Sequence, residues 1–418
     1  MTRLPILLVP VLLMACSPEG EAPPVVDSGW DQSERPAMAP QPQSEDFGDR
    51  NTGFEPAFEG QTRAPLPGQT HDWTVETVGE RLGEVWGFTF LPGGDILFTK
   101  KSGTLHVLSG GEASGPIEGL PAIDTDDQGG LLDIVLDQDF PDNRLVYFSF
   151  SEPRGEGENG TSVARARLSD DRSALEELQV IFRQQPAWDS SMHFGSRLVW
   201  GEDGTLFVTL GERFHPAPRQ LAQDPTNHIG TIVRIDPDGS IPQDNPFTTT
   251  SAGADAVYAY GIRNSQAAAL GPDGRLWEIE HGPQGGDELN LIEPGGNYGW
   301  PVVGYGEQYD GTPQHERASL PGMIDPVYFW DPVIAPSGMI FYDGELFPQW
   351  RGDIFVGGLA SRKLVRLTLE DERVTGEEWL EMDGRIREVE QGPDGAIYVS
   401  DESNATILRI VPAQDGGG

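Results

Sequence analysis

The sequence contains a single cysteine, Cys16, among 418 residues, and only 28 basic residues against 67 acidic ones. A chain with one cysteine cannot form an internal disulfide. Its formal net charge of -39 repels nucleic acid and anionic lipid head groups, so nucleic-acid binding is excluded. Stretches with helical periodicity are also few, and only residues 174–180 suggest one. What the sequence has in quantity is glycine, 53 residues, which indicates many turns.

The N-terminal apolar run, residues 4–15, is too short to span a bilayer as a helix. It follows an arginine and ends at Cys16, so residues 1–16 are predicted to be a lipoprotein signal peptide. Residues 13–16, Leu-Met-Ala-Cys, resemble a bacterial lipobox, in which the cysteine is lipidated; an incidental cysteine in an ordinary signal peptide is the alternative. Ser17 follows instead of an aspartate, so retention at the inner membrane is not specifically indicated. We expect a lipid-anchored protein of the cell envelope that faces the periplasm, at the outer membrane rather than the inner one.

The segment after the signal peptide, residues 17–70, is rich in Pro, Gly, Gln and acidic residues and has no hydrophobic periodicity. Such a composition predicts a disordered acidic tether. The remaining residues, 71–413, are predicted to form one β-rich catalytic domain.

Six segments of this domain share one pattern, in which a Pro/Gly/Asp turn leads into a short strand of β-branched and aromatic residues. They are residues 91–99, 140–148, 201–208, 271–277, 347–356 and 392–399. Because each pattern is typical of a hairpin within a propeller blade, the six predict an all-β fold, a six-bladed β-propeller of four-stranded antiparallel blades. The strand at residues 406–411 is expected to complete a blade begun near Thr74 and so to close the ring. A β-sandwich with six hairpins is the alternative.

Polar clusters beside these repeats are candidate site residues, because propellers usually bind ligands on the loops at one mouth of the central channel. One cluster places His193 just before the third repeat, and another places Arg263, Asn264 and Gln266 just before the fourth. A lone histidine is more often structural, and a loop with one arginine and two amides can serve simply to connect blades.

Two further clusters suggest specific ligands. Residues 280–301 contain many glycines, which let backbone carbonyls approach a ligand, and carbonyl oxygens suit calcium; a tight irregular connection is the alternative. Arg385 and Arg387 lie two residues apart just before the sixth repeat, so they point to the same side of a strand. Surface arginines are common, but two aligned cations in so acidic a chain suggest an anionic ligand.

In their order and context these clusters resemble the PQQ-dependent soluble glucose and aldose sugar dehydrogenases, from about residue 84 to residue 410. The motifs are His-Phe-Gly-x-Arg-Leu from His193, Arg-Asn-x-Gln from Arg263, Glu-His-Gly-Pro with Asp-Glu-Leu-Asn, Gly-Gly-Asn-Tyr-Gly-Trp-Pro, and Gly-Arg-Ile-Arg. Each motif alone is weakly specific, but together they are strongly specific.

The resemblance implies an enzyme that oxidises the C1 hydroxyl of aldose sugars to the lactone, with hydride transfer to PQQ and assistance from calcium. It implies that His193 is the catalytic base and that Arg263 stabilises negative charge at the quinone oxygens. Backbone carbonyls of Gly282 and Pro283 would bind the calcium. The other cofactor-binding residues it implies are Gln128, Asn264, Gln266, Arg385 and Arg387, with Arg263 among them.

Two positions depart from the pattern of the glucose-type members. Ala360 stands where they have a lysine that contacts the cofactor, and Arg362 or Lys363 is a possible substitute. Met192 stands where they have an aspartate beside the catalytic histidine, which removes a charge that would hold the imidazole. The aldose branch lacks that aspartate too, so the sequence favours this branch, with broad sugar specificity.

Two alternative functions stay open from the sequence. One is a calcium-dependent propeller lactonase, which needs a metal but no quinone, and the other is a non-catalytic envelope propeller that binds a partner. In the favoured interpretation the partners are an aldose sugar and an external electron acceptor, either a quinone or a cytochrome, and contact with the membrane is through the N-terminal lipid only.

Replacing Cys16 with Ser removes the thiol that would carry the lipid. We therefore expect the variant to be released from membranes while its activity stays intact. Fractionation of cells that express the wild-type chain or the variant checks this, and continued membrane retention of the variant would count against the lipobox.

Overall fold

The structure is a computed structural model that describes residues 47–68 and 71–413. The predicted signal peptide with Cys16, and residues 17–46 of the predicted tether, lie outside the described residues. Within the described ranges no helix is long and apolar enough to cross a membrane.

The described chain forms six four-stranded antiparallel sheets, which confirms the predicted six-bladed β-propeller. Blades 1 to 3 comprise β2 (Val85–Phe90), β3 (Ile96–Lys100), β4 (Thr104–Ser109) and β5 (Glu112–Ala113); β6 (Leu131–Leu136), β7 (Leu145–Gly155), β8 (Glu158–Leu168) and β9 (Leu175–Arg183); and β10 (Gly195–Trp200), β11 (Leu206–Leu210), β12 (Thr231–Ile235) and β13 (Val257–Tyr260). Blades 4 to 6 comprise β14 (Ser265–Leu270), β15 (Leu276–Glu280), β16 (Asp287–Leu291) and β17 (Tyr328–Trp330); β18 (Pro336–Phe341), β19 (Ile354–Gly358), β20 (Lys363–Glu370) and β21 (Arg373–Glu381); and β22 (Ile386–Gln391), β23 (Ile397–Asp401), β24 (Thr406–Pro412) and β1 (Trp73–Gly79). Two short α-helices, α1 (Phe140–Asn143) and α2 (Pro216–Arg219), and two 3-10 turns, Gln220–Gln223 and Pro348–Trp350, lie in the connections.

All six sequence repeats fall at the same place in the fold, the turn between the first and second strands of a blade. In two of them, Gly274 and Gly395 adopt φ values of 76° and 79°, a left-handed conformation that glycine enters without steric cost. The turn is then closed by backbone hydrogen bonds such as Gly271 N to Arg275 O, 2.8 Å. Each repeat identifies a blade, because its turn is formed by a few consecutive residues that can be recognised in the sequence.

The ring closes through the first and last strands. β1 pairs antiparallel with β24, with Thr74 opposite Val411, so blade 6 contains strands from both ends of the propeller. This confirms the predicted closure.

The possible helix at residues 174–180 is wrong, because residues 175–180 belong to β9, the outer strand of blade 2, and Ala174 forms an isolated β-bridge with Glu118. The register of β9 on β8 shifts twice, and Glu177 has a positive φ of 55°. Such bulges place Leu175 and Leu178 on the same side at a three-residue spacing, which imitates a helical pattern.

A buried charged cluster lies where the innermost strands of the blades meet at the propeller axis. Arg197 on β10 donates to Asp133 Oδ1 on β6 at 3.1 Å, to Glu388 Oε2 on β22, and to the backbone oxygen of Gln266 on β14 at 3.0 and 3.1 Å. Its guanidinium also lies 4.8 Å from the ring centroid of Trp86 on β2. One side chain thus joins five of the six blades.

Residues 47–68 pack on blades 4 and 5 as an ordered arm, which corrects the prediction of a solvated tether for this part. Asp331 accepts hydrogen bonds from the backbone N–H of Asn51 at 2.8 Å, and Gln61 is fully buried. The Gln61 side chain donates to Pro326 O at 2.7 Å and accepts from the Tyr305 hydroxyl at 3.1 Å. The arm is fixed by polar partners distant in sequence, which its hydrophilic composition does not reveal.

Replacing Arg197 with Met leaves Asp133 and Glu388 as buried carboxylates without their cation, so we expect the free energy of unfolding to fall by about 3–5 kcal/mol. Denaturant and thermal unfolding measure the change. The control is Arg275→Met, which removes an arginine that is 45% exposed and pairs with Asp273 and Glu372, 47% and 41% exposed. We expect that variant to lose less than about 1 kcal/mol, and equal losses in the two variants would contradict the importance of the axial cluster.

Candidate active site

The predicted site residues lie at one edge of the blades, where the innermost strands begin and the second strands end. His193, Arg263 and Arg385 come one or two residues before β10, β14 and β22. Glu212 and Glu402 come just after the second strands β11 and β23. Antiparallel neighbours bring these two kinds of position together, so residues from several blades share one mouth of the propeller.

His193 is held rigidly at this mouth and is 4% exposed. Its backbone N–H donates to Gln128 Oε1 at 2.9 Å, and its backbone oxygen accepts from Arg213 at 3.3 Å. Its φ of 53° is strained for a non-glycine residue, and strain of this kind clusters at functional sites. The ring of Phe214 packs edge-on against the imidazole, with centroids 5.1 Å apart.

Glu212 supplies the carboxylate that the sequence interpretation held to be missing beside His193. Its Oε1 lies 2.8 Å from His193 Nδ1. Met192 therefore does not deprive the imidazole of a partner, since the partner comes from the loop after β11. His193 Nε2 makes no hydrogen bond to any residue that the structure describes.

Both members of this pair are driven toward their neutral forms. Burial, and then the positive charges of Arg263 and Arg213, hold the pKa of His193 well below its usual value. Burial raises the pKa of Glu212 to about 7, although the neighbouring arginines oppose that rise. Above that pH the Glu212 carboxylate accepts the Nδ1 proton, and the Nε2 lone pair of His193 is available as a base.

Arg263 connects the base to the glycine-rich loop. Its guanidinium donates to the backbone oxygens of His281 at 2.8 Å and Gly282 at 3.1 Å, and it lies 5.2 Å from the ring centroid of Trp300. Its backbone oxygen accepts from the N–H of Glu212 at 2.9 Å. The predicted charge-stabilising residue and the predicted base are therefore fixed to each other through Glu212.

The glycine-rich loop is tightly folded around Gly282 and Pro283. A Cβ on Gly282 would lie 2.2 Å from the Gly285 oxygen, so only glycine fits there. Asp287 fixes the loop by accepting from the Gly282 N–H at 2.8 Å and, through its other oxygen, from the N–H groups of Ile334 and Ala335. The loop presents its backbone oxygens at the mouth. Among the described residues, no three acidic, histidine or cysteine side chains are arranged to hold a metal.

The remaining predicted cofactor residues join blades 3, 4 and 6. Asn264 accepts from the N–H of Gly195 at 3.0 Å, and Gln266 accepts from Arg387 at 2.7 Å. Arg385 and Arg387 do share one side, because both approach Glu402, at 3.0 and 3.5 Å. This carboxylate offsets part of their charge, and the pair carries one net positive charge instead of two.

Neither proposed substitute for the missing lysine is bound within this cluster. Lys363 pairs with Glu381 on β21, the outer strand of blade 5, and Arg362 is exposed in the turn before β20. The exposed Ala360 lies in the same turn.

The mouth nevertheless carries arginines that no described carboxylate pairs with directly, although Glu212 lies close enough to interact with their charge. The guanidinium groups of Arg213, Arg219 and Arg263 have no carboxylate oxygen within 4.0 Å in the described ranges. The buried Nε atoms of Arg263 and Arg387 lack hydrogen-bond partners. Unsatisfied buried cations are costly unless an anion completes them, so the donor set fits an anionic cofactor.

The sequence interpretation missed Glu212, Arg213 and Arg219. A signal for Glu212 was available, because it lies within two residues of the end of the second strand of its blade, as His281 and Glu402 do. His193 and Arg263 were predicted because they precede repeats. Glu212 follows a second strand instead, so it was not predicted.

The comparisons with known proteins cover nearly the whole propeller. The family model described as Glucose / Sorbosone dehydrogenase matches residues 82–409. The aldose sugar dehydrogenase YliI of Escherichia coli is 39% identical over 346 residues, which cover 81% of this chain and 92% of that protein. The crystal structure of the soluble aldose sugar dehydrogenase from Escherichia coli in the apo-form has a TM-score of 0.78 at 39% identity, covering 82% of this chain and 100% of the other. The PQQ-bound form of aldose sugar dehydrogenase from Streptomyces coelicolor has a TM-score of 0.67 at 27% identity, covering 82% and 99%.

The lowered pKa of His193 predicts that its imidazole is still neutral at pH 6.5, where an ordinary histidine is half protonated. At pH 8, with Glu212 ionised, we expect the proton on Nδ1. Nitrogen chemical shifts of ¹⁵N-histidine-labelled protein report both the charge and the tautomer. The Glu212→Gln variant is the control, because its amide oxygen still accepts Nδ1–H but cannot take up a proton near pH 7, and an imidazolium signal from His193 at pH 6.5 would contradict the assignment.

Proposed function

The chain belongs to the glucose/sorbosone dehydrogenase family, and from that membership we propose that it oxidises the C1 hydroxyl of aldose sugars to the lactone, with PQQ as hydride acceptor and calcium as an aid. The observation that carries the proposal is the His193 imidazole, whose Nδ1 is bound to Glu212 and whose Nε2 is free, beside arginines that lack carboxylate partners.

His193 acts as the general base. Its neutral imidazole can take the proton of the anomeric hydroxyl on Nε2, since Nδ1 is occupied by the hydrogen bond to Glu212. As the imidazole becomes positively charged, the ionised Glu212 stabilises it, and the Gln128 amide keeps the backbone of His193 in place. Proton removal is therefore favoured above about pH 7, where Glu212 is ionised.

Arg263 supplies a fixed positive charge next to the base. When bound, PQQ supplies a quinone that takes up the hydride from C1. A guanidinium already held by the His281 and Gly282 oxygens would stabilise negative charge that develops on such an acceptor, and so would favour the transition state over the ground state.

Arg385 and Arg387 would hold carboxylates of the cofactor, with Gln266 fixing the second arginine. The backbone oxygens of Gly282 and Pro283 would bind calcium. Calcium takes six to eight oxygen ligands, so the cofactor and water would have to complete its coordination. Asn264, which is bound to Gly195, would orient the site indirectly by fixing the start of β10.

The electrons taken from the sugar would leave through an external acceptor, a quinone or a cytochrome. A lipid on Cys16 would keep the enzyme at the envelope, where such acceptors are found. Broad specificity for aldoses is part of this proposal.

Purified protein reconstituted with PQQ and calcium should reduce an artificial dye when given aldose sugars. We expect His193→Gln to lower turnover by about 10² to 10⁴-fold while PQQ stays bound, because the variant lacks the base but keeps the cofactor residues. The matched control is His106→Gln, on β4 of blade 1, which we expect to keep full activity.

Three results would contradict the proposal. Equal activity of the His193→Gln variant would place the base elsewhere, and no dye reduction with any aldose would exclude the dehydrogenase. Hydrolysis of lactones without PQQ would instead favour a propeller lactonase.

A further inference from the structure

Arg219 is a cation at the rim of the site that has no assigned role. It ends α2 in the connection between β11 and β12, and it is half-buried. Its guanidinium donates to the backbone oxygen of Phe214 at 2.9 Å and to the side-chain oxygen of Gln314 at 3.3 Å. Both acceptors are neutral, and they use two of its five N–H donors. Three donors remain, and no residue that the structure describes accepts from Nε.

Two arginines share one aromatic ring at this rim. Arg219 and Arg263 lie 5.6 and 5.2 Å from the ring centroid of Trp300. No carboxylate of the described chain lies within ion-pair distance of either guanidinium, although the sequence has 67 acidic residues. The two guanidinium groups repel each other, and the nearby Glu212 carboxylate, which is hydrogen-bonded to His193, offsets that repulsion without pairing directly with either. A bound anion in direct contact with Arg219 would remove the remaining cost.

The arginines proposed to hold the cofactor's carboxylates lie elsewhere around the mouth. Arg385 and Arg387 belong to blade 6, whereas Arg219 belongs to blade 3, the blade of His193. Phe214, whose oxygen binds Arg219, packs against the His193 imidazole. A sugar whose anomeric hydroxyl reaches His193 Nε2 must lie on this side, so Arg219 is placed to meet the sugar and not the carboxylates of the cofactor.

We propose that Arg219 binds a negatively charged group of the sugar, so that the preferred substrates are aldoses that carry a carboxylate or a phosphate away from C1. This inference rests on the proposed function. The exposed hydroxyl of Tyr309, 3.3 Å from Arg263, and the amide of Gln314 add polar groups to the same rim. The acidic surface as a whole repels such sugars only weakly at physiological salt, because charges more than about 8 Å away are screened.

The test compares glucose, glucuronate and glucose 6-phosphate as substrates of the enzyme reconstituted with PQQ and calcium. We expect at least one charged sugar to have a kcat/KM about 10-fold or more above that of glucose. In Arg219→Gln the ratio of kcat/KM for the charged sugar to kcat/KM for glucose should fall by about 10- to 100-fold. The fall should come from a higher KM for the charged sugar, because the contact lies away from the reacting carbon. The two charged sugars show whether a carboxylate or a phosphate is preferred.

Two further variants serve as controls. Arg317→Gln removes an exposed arginine of the neighbouring loop and should leave the ratio unchanged. Arg219→Lys keeps the charge and should keep part of the preference, and it also serves if Arg219→Gln fails to fold.

A binding measurement separates this inference from the proposed function. Methyl β-glucuronide has no free anomeric hydroxyl and cannot be oxidised at C1. In calorimetric titrations it should bind the PQQ-loaded protein more tightly than methyl β-glucoside does, and Arg219→Gln should abolish the difference. Equilibrium dialysis should show unchanged PQQ retention in that variant.

Four outcomes are decisive. Preference for glucose in the wild type, or a ratio that Arg219→Gln does not change, overturns the inference and leaves the dehydrogenase intact. Loss of PQQ from Arg219→Gln overturns it by making Arg219 a cofactor ligand. Absence of dye reduction with every sugar overturns the proposed function, while the glycoside titration still tests the anion site at Arg219.

Discussion

Burying charge at the propeller axis is the constraint on which the rest of the structure depends. The Arg197 guanidinium can lie there only because Asp133, Glu388 and the Gln266 oxygen come from three other blades to surround it. A buried ion cluster of this kind tolerates little displacement, since each oxygen would lose its partner. The blades are therefore fixed relative to one another at their innermost strands, which are also the strands that begin at the site. Gln266 shows the connection directly, because its backbone holds Arg197 while its side chain holds Arg387.

The mouth of the propeller is rich in positive charge, although the chain as a whole is strongly acidic. A protein with a net charge of -39 places several buried or half-buried guanidinium groups around one histidine. Their field has two effects that reinforce each other. It adds to burial, the larger cause, in holding the pKa of His193 low and its imidazole neutral, and it favours the ionised form of Glu212 against the effect of burial. The same arginines therefore prepare the base and attract anions.

The fold could be predicted from the sequence because its markers are local. The turn at Gly274 or Gly395 needs only its own few residues, and six such turns reveal six blades. The role of His193 came from the resemblance, but its partner Glu212 did not, because a hydrogen bond between residues 19 positions apart depends on the pairing of β10 with β11. The arm, residues 47–68, shows more clearly that contacts between distant residues cannot be predicted from composition. Asn51 is fixed by Asp331, 280 residues later, and a hydrophilic composition carries no sign of that contact.

The pairing of β1 with β24 has a consequence for how the protein is made. The strand that starts the propeller cannot enter its blade until the last strand has been synthesised, so the ring stays open for as long as the chain is growing. Contacts between distant parts of a chain also form slowly, because the intervening chain must first lose its freedom. The mouth where the proposed site residues of blades 3, 4 and 6 meet is therefore completed only when blade 6 forms. Truncated chains that lack β24 would carry most of the proposed site residues without the closed ring that brings them together.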